Sequence, residues 1–97
     1  MIDDISKRLK SVANFIPRAC RVCDVGTDHG YLPVYLSKTG IAKSIIAMDL
    51  REKPLQKAKN NAKDANIFNI DFRLSDGLEK LEKNEADVIT ITGMGGY

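Results

Sequence analysis

The sequence predicts an α/β fold with a doubly wound parallel sheet, because short β-branched segments alternate with amphipathic helical segments along its 97 residues. Strands that alternate with helices are joined by right-handed crossovers and therefore run parallel. The length suits one small domain, which we place at residues 1–97. In this class the first strand is central, with the second and third strands on one side and the fourth on the other.

Each predicted element is bounded by residues that start or stop it. An amphipathic helix comes first, and its apolar positions recur at helical spacing until Pro17. The next helix lies between Pro33, which is tolerated in a first turn, and Gly40, which suits a C-terminal cap. The predicted strands cover residues 21–25, 44–50, 70–75 and 87–92, and two further helices cover residues 52–66 and 77–84.

The fourth predicted strand would leave an apolar edge exposed if the sheet ended with it. A complete sheet of this class continues beyond its fourth strand. We therefore expect the chain to be the N-terminal part of a longer protein.

The composition is that of an ordinary soluble globular protein, with 43% hydrophobic and 29% charged residues. No apolar run approaches the length of a membrane span, and the N-terminus lacks the basic-then-apolar layout of a secretory signal. We expect a cytoplasmic protein without a membrane partner.

The net charge of +2 is unevenly distributed. Residues 1–21 contain five basic residues and two acidic residues, whereas the remainder is nearly balanced. A polyanion would approach this N-terminal segment first, and Lys7 and Arg8 are candidate contacts. The alternative is an ordinary solvated helix face.

Cys20 and Cys23 form a single C-x-x-C pair. A redox pair of this spacing normally opens a helix, and a structural zinc site needs a second pair of ligands. The sequence provides neither, because both cysteines lie at the start of an apolar run. We interpret them as small buried hydrophobic residues.

The most informative stretch is "DVGTDHGYLPVYL", residues 24–36, which opens with the strand-to-helix turn D-x-G-x-D-x-G. Its glycines allow tight backbone geometry and close approach of a ligand, although the pattern is weak by itself. Two more acids strengthen it, because Asp49 ends the second strand and Asp76 follows the third. The former can accept ribose hydroxyls and the latter an adenine amino group. The predicted nucleoside site comprises Asp24, Gly26, Thr27, Gly30, Asp49, Leu50, Asp76 and Gly77.

The acids select among nucleoside ligands by charge. A dinucleotide would bring its pyrophosphate close to Asp24 and Asp28, where like charges repel. S-adenosylmethionine has no phosphate and brings a sulfonium and an ammonium instead, so carboxylates are favourable there. The sequence thus favours this methyl donor over NAD. The structural alternative is that the two aspartates only cap the turn and the helix.

Two further features of the sequence are candidates for an acceptor site. The C-terminal segment "TGMGGY" follows the fourth strand, where acceptors bind in this class, so its backbone and an apolar thioether could contact a flat base; a flexible turn is the alternative. His29 is a candidate catalytic residue, although a structural histidine is more common. The C-terminal segment supplies Gly93, Met94, Gly95 and Gly96 as candidate substrate contacts.

Tyr31 and Tyr35 are one helical turn apart, and we expect them to pack.

With these residues in place, the chain resembles the bacterial tRNA adenine-22 N1-methyltransferase family, a class I group with a Rossmann-like fold. The resemblance covers nearly the whole chain, from "RLKSVANFIP" through "DVGTDHGYLPVYL" and "DGL" to "ITITGMGG". It implies that residues 24–29 form the methyl-donor motif and that Asp28 is the catalytic residue. Two features depart from the family, whose members are much longer and commonly carry glutamate where this chain has Asp49.

The resemblance implies an S-adenosylmethionine-dependent enzyme that methylates N1 of an adenine in tRNA. A carboxylate near the base could stabilise the developing cation and accept its proton, and Asp28 is our candidate. The alternative from another class is a non-catalytic nucleoside-binding or interaction module. Methyl transfer to unmodified tRNA distinguishes the two.

Overall fold

Four parallel strands form one sheet in the order β3-β2-β1-β4, as the sequence predicts. The structure is a computed structural model that describes residue 7 and residues 10–91. The central pair of strands is the longest, and β4 is short within the described residues. The strands are β1 (Cys20–Val25), β2 (Ala42–Asp49), β3 (Ile70–Leu74) and β4 (Val88–Thr90).

Two helices, α1 (Tyr31–Thr39) and α2 (Glu52–Asp64), make the crossovers between the first three strands. Gly40 follows α1 in the left-handed conformation with a φ of 70°, which ends the helix as predicted. Helix α2 buries Leu55, Ala58 and Ala62, which are spaced to share one face. Residues 10–14 are also helical and lead into β1. The earlier part of the predicted N-terminal helix lies mostly outside the described residues.

Side chains from the two faces of the sheet form two hydrophobic clusters. Because side chains alternate along a strand, Val22 of β1 faces the helices while Cys23 faces the opposite side. The main core, on the helical face, also receives Ala13 and Ile16 from the N-terminal segment. The second cluster contains Cys23, Val25, Ile46 and Met48, with Leu81 and Ala86 packed against it.

The two cysteines are free thiols. Cys23 is fully buried, and Cys20 is half-buried at the first position of β1. Burial, with a smaller contribution from the charge of Asp24, raises the pKa of the Cys23 thiol to about 11. This supports the interpretation of Cys23 as a small hydrophobic residue.

The helix predicted over residues 77–84 is wrong, because this segment forms consecutive turns. The Glu79 N–H donates to the Asp76 carbonyl and the Leu81 N–H donates to the Leu78 carbonyl. Both bonds join residues three apart, as in turns, whereas an α-helix needs bonds between residues four apart. The Lys80 N–H bonds to the Ser75 hydroxyl at 3.1 Å instead of to an earlier carbonyl. Side chains thus take the backbone groups that a helix would need.

An arginine on β3 fastens this segment to the sheet. The Arg73 guanidinium donates to both carboxylate oxygens of Glu85 at 2.6 and 2.7 Å and to the Lys80 carbonyl at 2.8 Å. It also donates to Asp71 at 2.8 Å. Because the loop carries Leu81 and Ala86, these bonds keep the loop packed against the second cluster.

Among the described helices, none is both long and apolar enough to cross a membrane.

Candidate functional site

Hydrogen bonds join the carboxyl ends of all four strands. The Asp49 carboxylate at the end of β2 accepts the Asp28 N–H at 2.9 Å, which ties β2 to the turn after β1. The Asp49 carbonyl accepts the N–H of Ser75, which follows β3, at 2.9 Å. The Thr90 hydroxyl on β4 donates to Asp24 on β1 at 2.8 Å. The predicted ligand-binding edge of the sheet is therefore one connected structure.

The turn between β1 and α1 owes its shape to residues in the left-handed region. Gly26, Asp28 and Gly30 have φ values of 70°, 56° and 76°. Asp28 is an acceptable non-glycine residue there, because aspartate visits this conformation more readily than most residues. The Thr27 N–H donates to the Met48 carbonyl at 2.9 Å, which fixes the turn against β2.

Asp24 lies fully buried beneath this turn. Its two carboxylate oxygens accept the hydroxyls of Thr27 at 2.9 Å and of Thr90 at 2.8 Å. The Thr90 bond crosses from β1 to β4, the point where the strand order changes direction, whereas the Thr27 bond stays within the turn. Asp24 thus connects the turn to β4 and places a carboxylate beneath the mouth of the sheet. Its direct contact with a ligand stays a prediction.

Asp49 is nearly buried, and both of its carboxylate oxygens are occupied by backbone donors. One oxygen accepts the Asp28 N–H at 2.9 Å and the other the Arg51 N–H at 3.0 Å. The Arg51 guanidinium lies 4.0 Å away and is largely exposed. A carboxylate oxygen has more than one lone pair, so the bonding leaves capacity for a ribose hydroxyl.

Asp28 and His29 form the more accessible part of the site. Their side chains are 41% and 38% exposed, and Asp28 Oδ2 lies 3.2 Å from His29 Nδ1. The Asn61 side chain on α2 donates to the His29 carbonyl at 2.8 Å, so α2 holds this part of the turn in place. The arrangement presents a carboxylate and an imidazole side by side at the surface.

The remaining predicted residues lie around this centre or outside it. Leu50, Asp76 and Gly77 are exposed, and Gly77 has a φ of 59° with no atom within 4 Å of where a Cβ would stand. Lys7 is exposed in the N-terminal segment. The others lie outside the described residues, namely Arg8, Gly93, Met94, Gly95 and Gly96.

Sequence reasoning missed three residues that shape the turn. Thr90 and Asn61 hold it through the bonds described above, and Ala58 packs beneath Gly30. A Cβ added at Gly30 would stand 2.8 Å from Ala58 Cβ, so this glycine is required by helix packing as well as by its φ. A local sequence signal existed for Asn61. It lies three residues after Ala58, beside the apolar face of α2, and this position indicates a polar side chain close to the packed interface.

Comparison with known proteins gives consistent results. A family model described as a methyltransferase domain matches residues 5–97. The Bacillus subtilis tRNA (adenine(22)-N(1))-methyltransferase is 42% identical over 93 residues, which are 95% of this chain and 39% of that protein. The chain thus spans about two fifths of the length of this relative.

Solved structures agree with the fold. The B. subtilis m1A22 tRNA methyltransferase superimposes with a TM-score of 0.84 at 41% identity, covering 92% of this chain and 38% of the other. A Streptococcus pneumoniae protein, a candidate tRNA (m1A22) methyltransferase in complex with S-adenosyl-L-methionine, superimposes with a TM-score of 0.83 at 42% identity, covering 92% of this chain and 42% of the other. The Mycoplasma capricolum relative, in complex with S-adenosyl-homocysteine, gives 0.80 at 37% identity, covering 91% and 41%.

Proposed function

The chain belongs to the methyltransferase-domain family, and from this premise we propose that it binds S-adenosylmethionine at the carboxyl ends of its strands. In the whole protein this site transfers the methyl group to N1 of an adenine in tRNA. Support comes from the name of the B. subtilis relative and from the ligands in the S. pneumoniae and M. capricolum structures. Cytoplasmic location and tRNA as macromolecular partner are parts of the same proposal.

One observation carries the proposal, namely the carboxylates around the turn. Asp28 is bonded through its N–H to Asp49, and Asp24 anchors the same turn through Thr27. Asp24 and Asp49 are buried and Asp28 is partly exposed. Together they would make the potential negative at the carboxyl ends of the strands. A sulfonium and an ammonium gain from that potential, whereas a pyrophosphate is repelled. These carboxylates therefore fit S-adenosylmethionine better than a dinucleotide.

Each predicted residue has a distinct role in this proposal. Asp49 would accept the ribose hydroxyls, and Asp76 would accept the adenine amino group of the donor. Gly26, Thr27 and Gly30 would let the turn approach the methionine part closely. Asp24 would contribute its charge and hold the turn. Leu50 and Gly77, next to the two acids, would line the donor nucleoside.

When bound, S-adenosylmethionine supplies an electrophilic methyl group on a positively charged sulfur. Adenine N1 has an in-plane lone pair, so no strong base is needed before the attack. As the bond from N1 to the methyl carbon forms, the bond from that carbon to sulfur would break and the sulfur would leave as a neutral thioether, so that positive charge moves to the base, where the Asp28 carboxylate would stabilise it. Asp28 would then accept a proton from the exocyclic amino group, which becomes more acidic on N1 methylation. His29, 3.2 Å from Asp28, would orient that carboxylate.

The C-terminal glycine segment and the N-terminal basic residues would contact the substrate. Gly93, Met94, Gly95 and Gly96 would lie against the acceptor base, and Lys7 and Arg8 would contact phosphates. Phosphate contacts release counterions, so the affinity for tRNA should fall steeply as salt is added. An affinity independent of salt would contradict the RNA part of the proposal.

The test is calorimetry of the whole protein with S-adenosylmethionine, followed by methyl transfer to unmodified tRNA. We expect saturable binding that NAD does not displace, together with methylation at adenine N1. Displacement by NAD at similar concentration would contradict the charge argument. Binding without transfer would support the alternative, a non-catalytic nucleoside-binding module.

A further inference from the structure

The ring of Tyr31 lies in the site and not in the core. It stacks on the His29 imidazole with ring centroids 5.6 Å apart and planes 9° from parallel. Tyr31 is 46% exposed and belongs to neither hydrophobic cluster, whereas Tyr35, one helical turn later, packs against the main core. The expectation that both tyrosines pack therefore holds for Tyr35 only.

Tyr31 is distinguished from the other described aromatic residues by its position. Phe72 of β3 packs against the main core. Phe15 and Phe68 are 87% and 77% exposed, but they precede the first residues of β1 and β3 and so belong to the amino edge of the sheet. Of the described phenylalanines and tyrosines, Tyr31 alone combines an exposed ring with the carboxyl edge, where the Asp28 carboxylate also lies.

We propose that Tyr31 is a substrate-positioning residue whose ring stacks on the acceptor base, with the His29 imidazole supporting it from the other side. This inference rests on the proposed function and specifies how the base is held. The stack offers a flat apolar surface and no hydrogen-bond code, so the ligand class is an unpaired base, which under the proposed function is adenine.

The reaction explains why such a surface is needed. Adenine N1 is on the Watson–Crick edge, so the base must leave its pair and its stack before N1 can react. Stacking on an aromatic ring recovers part of the lost free energy. The His29 imidazole contacts both Tyr31 and the Asp28 carboxylate, so a base on Tyr31 would lie beside the proposed proton acceptor. One turn would thus position the base and receive its proton.

Fluorescence gives a direct test, because the chain contains no tryptophan. In the Tyr31→Trp variant of the whole protein, adenosine monophosphate should quench the emission of the introduced tryptophan, measured as the difference from the unsubstituted protein. Phe68→Trp is the matched control, since it places an exposed indole at the opposite edge, where no quenching is expected. Absence of quenching in Tyr31→Trp, or equal quenching in both variants, would overturn the proposal.

Kinetics give a second test that separates this inference from the proposed function. Tyr31→Leu should raise the KM for unmodified tRNA about tenfold while the Kd for S-adenosylmethionine stays unchanged, and Tyr31→Phe should retain the wild-type KM. An unchanged KM in Tyr31→Leu would refute the role of the ring even if wild-type protein is active. Failure of the wild-type protein to bind donor would instead refute the proposed function, which the fluorescence of Tyr31→Trp does not require.

Discussion

The carboxylate of Asp49 accepts the backbone N–H of Asp28 at 2.9 Å, so the end of one strand fixes the turn that follows its neighbour. The second Asp49 oxygen accepts the Arg51 N–H at 3.0 Å. A residue predicted as a ligand contact therefore also organises the site. Because both of its oxygens accept backbone hydrogen bonds, the Asp49 carboxylate can be buried without leaving a polar group unpaired.

Replacing Asp49 should destabilise the protein. Asp49→Ala leaves two backbone N–H groups without their acceptor, and we expect the free energy of unfolding to fall by about 1–3 kcal/mol. Urea denaturation measures this change. Asp76→Ala removes an exposed carboxylate and should change stability by less than about 0.5 kcal/mol. Equal effects of the two substitutions would contradict the organising role of Asp49.

Gly30 and Gly40 separate two reasons for requiring glycine. Both have positive φ, but a Cβ would stand 2.8 Å from Ala58 Cβ at Gly30 and would meet nothing within 4 Å at Gly40. Gly40→Ala should therefore cost about 1 kcal/mol, and Gly30→Ala about 2–4 kcal/mol. Thermal or urea unfolding measures both. Adding Ala58→Gly to Gly30→Ala should recover part of the difference, and no recovery would refute the packing explanation.

The proposed role of Asp28 predicts a specific loss. Asp28→Asn keeps a side chain that tolerates the left-handed conformation but removes the negative charge, so the fold should be preserved. We expect turnover in methyl transfer to fall by about two orders of magnitude, with a smaller change in donor affinity. Asp64→Asn, an exposed aspartate at the end of α2, is the control. Unchanged turnover in Asp28→Asn would reject the assignment.

Stability should decrease in acid because of the ion pairs that hold the loop before β4. Hydrogen bonds from Arg73 lower the pKa of Glu85 from 4.5 to about 2, and those from Arg21 lower the pKa of Asp87 from 3.8 to about 2. Since both folded-state values are depressed, the stabilisation is complete above the unfolded pKa values and is lost as pH falls towards 2.

Denaturant unfolding between pH 7 and acid measures this loss. Glu85→Gln cannot titrate, so its stability should fall less steeply with pH than that of the wild type. Glu79→Gln, an exposed glutamate in the same loop, should leave the slope as it is. Identical slopes for Glu85→Gln and wild type would show that the Arg73 pair does not contribute.

Cys23 should be unreactive towards thiol reagents in the folded protein. With a pKa of about 11 and full burial, Cys23 has a thiolate fraction of about 1 in 10,000 at pH 7 and is shielded from reagent. A Cys20→Ser variant should therefore resist alkylation by iodoacetamide until denaturant is added, as followed by mass spectrometry. Rapid modification of the native variant would contradict the burial of Cys23.

Much of the fold could be predicted from local sequence patterns. Pro33 lies in the first turn of α1 and Gly40 ends that helix, the spacing of Leu55, Ala58 and Ala62 predicted α2, and the alternation of strands and helices predicted the strand order. These features depend on residues close together in the chain. The helix predicted over residues 77–84 was wrong because side chains outside this segment bind its backbone. Ser75 and Arg73 bond to the N–H and the carbonyl of Lys80, and Arg73 also binds Glu85, just after the segment. The spacing of apolar residues does not reveal such bonds.

The sequence by itself determined the order of the strands and of helices α1 and α2, the glycine-rich turn and the acidic character of the predicted site. Only the tertiary structure decided that Asp24 is buried between Thr27 and Thr90, that Gly30 packs on Ala58, and that Tyr31 stacks outside the core. The physical reason is that a hydrogen bond, a close approach or a stacked ring depends on where distant segments meet. Parallel pairing of β1 with β2 and β4 brings those segments together at one edge of the sheet.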